Sequence, residues 1–307
     1  MRANYTKVID EVIYAVTTNA KQGTIAEIIN SYGSLTGTIT LQSHIDGFPV
    51  KTICSGAFER SNLEGIIIPN TVTSIGHAAF EYSNIKDVTI PDSVTCIDSF
   101  AFHKCLNLKN VVLGNGLETI NNCAFAACDN LKSITFPASI KKFGLSVVEN
   151  CPNLESIHIE GDSFEFMDCD NMGLGYKCLE LKNITTNPSN TRYISIDGVL
   201  YDKKKNKLIK VPSAYKPKRY IMPEWVRSCE ANCLHGLKNV EVIKISQEEL
   251  YNFSNYWLTS SPSLKRVICA ADSEIEKFCK RNNIQTSPHT TELKTFLNDL
   301  TENTERL

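Results

Sequence analysis

Long apolar runs are missing from this sequence. No stretch of the 307 residues approaches the roughly 20 consecutive apolar residues that a membrane-spanning helix requires. Met1 to Asp10 holds no apolar block of the kind a signal peptide carries, so a cytoplasmic location is expected. Secretion or surface display is the alternative if a leader is removed. Charge of one sign is missing too. The 32 Lys and Arg against 34 Asp and Glu leave a formal charge of −2, which removes any global pull toward nucleic acid or an acidic membrane. The compact basic run Lys203 to Lys205, with Lys207 and Lys210 close by, lies between two strand-like segments and reads as a solvated hairpin tip. The chain has no Gly-x-Ser-x-Gly, no phosphate loop and no His-Glu-x-x-His. Its 6 histidines are scattered, and none follows Cys123-x4-Cys128 or Cys229-x3-Cys233 at a zinc-ligand interval. Asp168 and Asp170 lie in Met167-Asp-Cys-Asp-Asn171, which lacks the glycine and distal glutamate of a calcium loop and reads as solvated. No enzyme, no metal and no cofactor is expected.

What is present is a repeat. Ile53-Cys-Ser-Gly-Ala-Phe58, Ile75-Gly-His-Ala-Ala-Phe80, Ile97-Asp-Ser-Phe-Ala-Phe102, Ile120-Asn-Asn-Cys-Ala-Phe125 and Phe143-Gly-Leu-Ser-Val-Val148 start 22, 22, 23 and 23 residues apart. A fixed period near that length marks a solenoid, in which one coil cannot bury its apolar face alone. Within a coil, Leu-x-x-Ile-x-Ile alternates with period two and predicts a short strand with one face inward. Pro69 and Pro91 suit strand exits because proline cannot donate to the ladder. The Ala-Phe stretch predicts a turn or a short helical segment on the opposite side, with Phe plugging the core.

The expected fold class is an α/β solenoid: a right-handed array of short parallel strands, with an irregular β-hairpin in the middle and caps at both ends. Residues 1–50 are expected to form an N-terminal β cap, with strands near Ile13–Val16, Ala26–Ile29 and Thr38–Leu41. Repeats fill 51–160. Residues 161–222 break the period and hold a hairpin formed by Tyr193–Tyr201 and Lys207–Pro212. Repeats resume over 223–270, and 271–307 form a helical cap and tail. The cap helix starts at Asp272 or Ser273. Leu293, Phe296, Leu297 and Leu300 lie at helical spacing in the tail.

Ile66-Ile-Ile-Pro-Asn-Thr-Val-Thr-Ser-Ile-Gly-His-Ala-Ala-Phe80 and Val88-Thr-Ile-Pro-Asp-Ser-Val-Thr-Cys-Ile97 closely resemble the leucine-rich repeat of the BspA-like class, also called the Treponema pallidum type. The resemblance extends over about residues 10 to 285. It implies the solenoid fold, and a bacterial or protozoan surface protein that binds host proteins or other cells.

Cys105, Cys128, Cys151 and Cys178 share one template slot, three residues before Leu108, Leu131, Leu154 and Leu181. A small, mildly polar, buried side chain suits that corner. Stacked coils hold equivalent Cβ atoms parallel and about 5 Å apart, wider than a disulfide accepts, so free thiols are expected. The strand residues between the buried ones must point outward. These are Asp87 and Thr89, Asn110 and Val112, Ser133 and Thr135, Ser156 and His158, Val242 and Lys244, Arg266 and Ile268. They predict a flat, polar, weakly charged ladder, used to bind a protein partner. A monomer is expected rather than an oligomer. The competing readings are a scaffold or self-associating surface protein, and an enzyme using 161–222, which would need a deep pocket with convergent polar groups.

Overall fold

The structure is a computed structural model that describes residues 4–19, 23–31, 34–166, 174–230, 232–247, 250–251 and 256–288. Each coil contributes two strand segments to two parallel ladders. The longer segments, Thr36–Thr40, Asn62–Ile67, Asp87–Thr89 and Asn110–Val112, lie side by side in chain order, and Ser133–Phe136, Ser156–Ile159 and Asn183–Thr186 form a second parallel group. Register puts Ile66 beside Val88 and Val111, then Ile134 beside Ile157 and Ile184, all facing inward. The second ladder stacks Phe48–Ile53, Ser74–Ile75, Cys96–Ile97, Thr119–Ile120 and Lys142–Phe143. It aligns Ile53, Ile75, Ile97, Ile120 and Phe143. The period of 22 or 23 residues thereby becomes one repeated step in space.

The Ala-Phe segments are turns and not helical segments. Each is bracketed by two residues of positive φ, as in Ala78 (51°) and Tyr82 (58°), Phe100 (61°) and Lys104 (57°), and Cys123 (56°) and Ala127 (56°). A helix cannot run through left-handed residues. The carbonyl and amide groups freed by these turns bond to the next coil instead, with Phe58 N donating to Ala79 O at 2.7 Å and Phe80 N to Ala101 O at 2.7 Å. The rings of Phe58, Phe80, Phe102 and Phe125 stack at 5.2, 4.9 and 5.1 Å between centroids, nearly parallel. The α/β label is therefore corrected. Among the described residues the only helices are Tyr256–Thr259 and Glu274–Arg281, and the array is a β-solenoid.

At the front, Tyr5–Ile9, Val12–Asn19 and Gly23–Ser31 are antiparallel, and the last of them pairs in parallel with Phe48–Ile53. At the back, Glu274–Arg281 starts on Ser273, whose Oγ accepts from Glu276 N at 3.2 Å, and Gln285–Pro288 pairs with Arg266–Cys269.

The irregular middle is a partition. Tyr193–Ile196, Val199–Asp202 and Lys207–Lys210 run antiparallel, and the last returns to parallel pairing with Ser228–Cys229. The run Lys203–Asn206 is the exposed turn between them. Alternation sends Tyr193, Leu200 and Ile209 into one hydrophobic cluster, which extends back to Val12. It sends Val199, Tyr201 and Leu208 into a second cluster, which extends on to Cys279. The polar groups that this costs are paired inside: Arg192 Nε with Asp202 at 2.8 Å, and Lys207 with Glu230 at 2.6 Å. Lys210 is almost fully buried and donates from Nζ to Asn232 O at 2.9 Å. Burial holds its ammonium down to about 8.

The candidate interaction face

The outward side chains of the longer strands form two rows, because a strand turns alternate residues to one side and parallel register repeats that choice in every coil. The first row carries Thr38, Gly65, Asp87 and Asn110, followed by Ser133, Ser156 and Asn183. The next row carries Thr40, Ile67, Thr89 and Val112, followed by Thr135, His158 and Thr185. Asp87, Thr89, Asn110, Val112, Ser133 and Thr135 are exposed, and Ser156 and His158 are half-buried. All eight lie on one face. Lys244 and Arg266 lie on the corresponding face of the C-terminal group, Arg219–Ile221, Val242–Lys244 and Arg266–Cys269. Val242 is half-buried. Ile268 corrects the template, for it is buried, 3% exposed, on the strand flanked by Gln285–Pro288.

The face is tied together coil to coil. Asn110 Nδ2 donates to Asp87 Oδ1 at 2.5 Å. His158 lies 2.7 Å from Thr185 Oγ1 through Nδ1 and 3.0 Å from Glu160 Oε1 through Nε2. Asn187, donating at 2.7 Å, and His158 together hold the Glu160 carboxyl below its ordinary range. Over the first coils, Ile67, Thr89 and Val112 line a groove of about 690 Å³ whose edges include Glu64, Asp87, Asp92 and Asn115. Ile67 and Val112 are 56% and 57% exposed, the most exposed aliphatic side chains in this groove.

A third row at the strand entries is charged, and template reasoning missed it. It runs Glu64, Lys86, Lys109, Lys132, Glu155 and Lys182. Lys86 pairs with Glu64 at 2.9 Å, and Glu155 with Lys182 at 2.5 Å. In the C-terminal group it continues as Lys218, Glu241 and Lys265, with Glu241 bridging both lysines at 2.5 and 2.8 Å. Hydrogen bonds from those lysines hold the Glu241 carboxyl down to about 2. The signal was available, since each of these residues precedes an outward strand position by one. Ile67 was hidden by the unbroken run Ile66-Ile67-Ile68, and Arg219 and Ile221 by the broken period.

The cysteine slot has a purpose in packing. The thiols of Cys105, Cys128 and Cys151 donate to the carbonyls of Phe80, Phe102 and Phe125 in the preceding coil at 3.0, 3.2 and 3.3 Å, and Cys178 to Val148 O at 3.1 Å. Ser83 and Ser61 fill the same slot one and two coils before Cys105, and Ser83 Oγ lies 3.4 Å from Cys105 Sγ. No group of three or more His, Cys, Asp or Glu able to hold a metal occurs among the described residues. Asp168 and Asp170 lie outside the described residues, as does the tail from Glu292 to Leu307.

Residues 51–171 match, in six copies, the family model of the BspA type leucine-rich repeat region. This segment carries BspA-type leucine-rich repeats. Among solved structures, a leucine-rich repeat protein from Bacteroides ovatus is 27% identical with a TM-score of 0.63, the match covering 86% of this chain and 71% of that one. A leucine-rich cell surface protein from Faecalibacterium prausnitzii is 22% identical with a TM-score of 0.57, over 87% and 76%. The T. pallidum leucine-rich repeat protein is 24% identical with a TM-score of 0.52, over 61% and 84%. No curated protein matches the chain. The BspA-type array accounts for the coil geometry, and the rows above are what this chain places on it.

Proposed function

We propose that this chain is a non-enzymatic binding module that presents the outward rows of its longer strands to a protein partner, in the manner of an adhesion protein. The observation that carries this reading is the face itself. It is open, it runs through Asp87 and Asn110 on one strand group and Ser133 and Ser156 on the next, and its side chains are short enough to let a partner approach. Extended faces of stacked repeats are used in this way. The polar groups of the middle region are spent on one another in the pairs of Arg192 with Asp202 and Lys207 with Glu230, which weakens the enzyme reading. The protein acts as a monomer in this proposal. Eleven free thiols among the described residues favour a reducing compartment. The likeness to a protein named for the cell surface favours the outside, and fractionation of the native source separates the two.

The test introduces aspartate at Thr89, Ser133 and Ser156. Capture of partners from the native source should fall several-fold while the melting temperature moves by only a few degrees, because surface substitutions away from special features cost about 0.5 kcal/mol or less each. Unchanged capture would remove this face from consideration.

A further inference from the structure

The face is not uniform along its length. Where the N-terminal coils set carboxylates beside Ile67 and Val112, the C-terminal group sets cations beside Ile221. Register aligns Arg219 with Val242 and Arg266 in one row, and Ile221 with Lys244 in the next. Lys218 and Lys265 flank them, exposed on either side of Glu241. Five cations thus stand around one carboxylate on three adjacent strands. Glu241 is engaged by both flanking lysines, and no described carboxylate pairs with Arg219, Lys244 or Arg266. Three neighbouring cations with no carboxylate partner among the described residues are unfavourable together and are relieved by an opposite charge from outside.

We propose that this C-terminal end of the face docks an acidic, aliphatic segment of a partner protein; the inference rests on the binding-face reading and names the chemistry of the partner. Ile221 decides between anions. It is 53% exposed on the outer strand of the group, beside Lys244 and two residues from Arg219, and burying it rewards an aliphatic side chain, which a phosphate polymer lacks. A second copy of this chain fits poorly, because the acidic end is already engaged internally. Glu64 pairs with Lys86 at 2.9 Å, Asp87 accepts from Asn110 Nδ2 at 2.5 Å, and Asp92 accepts from Asn115 N at 2.7 Å.

The experiment uses the full chain and a short fluorescent peptide of Glu, Leu and Ser, with a Lys-for-Glu peptide and inorganic polyphosphate as competitors. Fluorescence anisotropy should show binding of the Glu peptide that weakens with salt. Arg219→Ser with Arg266→Ser should weaken it about ten-fold, as expected for two partly desolvated charge contacts. Glu241→Gln should tighten it, because the patch gains a net positive charge and Lys218 and Lys265 are released from their ion pairs. Arg219→Glu with Arg266→Glu should transfer preference to the Lys peptide. Circular dichroism confirms folding, and if the double variants fail to fold, Glu241→Gln and Lys244→Ser carry the test. Equal affinity of the serine variant and the parent overturns the proposal, and so does polyphosphate binding without peptide binding. Sedimentation that shows a dimer lost in the serine variant assigns the patch to self-association and overturns it as well. If aspartate at Thr89, Ser133 and Ser156 abolishes capture while the arginine variants capture normally, the binding-face reading stands and only this inference fails.

Discussion

At the scale of single residues, slot chemistry explains what is otherwise an odd richness in cysteine. The thiols of Cys105, Cys128, Cys151 and Cys178 each reach a carbonyl of the previous coil, and the same small slot accepts Ser61 and Ser83. Cys105→Ser is therefore expected to cost less than about 1 kcal/mol, close to the net worth of one exchanged hydrogen bond. Burial pushes the Cys105 thiol up to about 12, and Cys128 is raised well above its ordinary range for the same reason. Native-state alkylation read by mass spectrometry should modify half-buried Cys96 and Cys123 while leaving Cys105 and Cys128 unreacted until the chain unfolds. Lys210 is the counterpart among cations. Its folded value of about 8 lies below the ordinary 10.5, so between those pH values the unfolded chain holds a proton that the folded chain has released. Stability from this group therefore rises with pH across that window, and its penalty is full below pH 8. The difference in melting temperature between Lys210→Met and the parent should favour the variant most at pH 7 and shrink toward pH 10. A difference independent of pH would mean that Lys210 stays neutral, or charged, throughout.

At the scale of elements, the coil is legible in the sequence as alternation plus a fixed period, and the strands at Asn62–Ile67, Asp87–Thr89 and Asn110–Val112 follow from it. The Ala-Phe segment was legible only as a turn or a short helical segment, and its left-handed residues were not legible at all. Ala78, Phe100 and Cys123 give no sign in their chemistry that they take positive φ, since that conformation is imposed by bonding to the neighbouring coil. Close approach between coils also decides Gly116, where a Cβ would lie 1.9 Å from Asp92 O, a backbone atom that cannot step aside. Gly116→Ala should cost about 1 to 3 kcal/mol, read as a lower urea midpoint at unchanged slope. A neutral result would require the Gly114–Gly116 turn to move away from Asp92.

At the scale of the whole molecule, two hydrophobic clusters meet on opposite faces of one hairpin. Stability in stacked repeats is a sum of local and nearest-neighbour terms, so the two clusters need not melt together. Urea unfolding followed by hydrogen exchange should resolve two transitions, split near Val199–Lys210, with the partition strands protected as long as either side survives. One sharp transition shared by both halves would show that the hairpin couples them fully. The same partition separates the acidic groove from the basic patch, so the two ends of the face can be tested independently.

From the sequence alone came the period, the buried set of each coil, the short strands and the side on which Asp87, Thr89, Ser133 and Ser156 project, because side-chain alternation and repetition are local rules. Tertiary structure alone decided the left-handed turns, the carbonyl partners of the thiols, the burial of Ile268 and the two-sided hairpin. It alone brought Arg219, Lys244 and Arg266 together. Each of these depends on which coil lies next to which, and register between coils is a property of the stack and of no single segment.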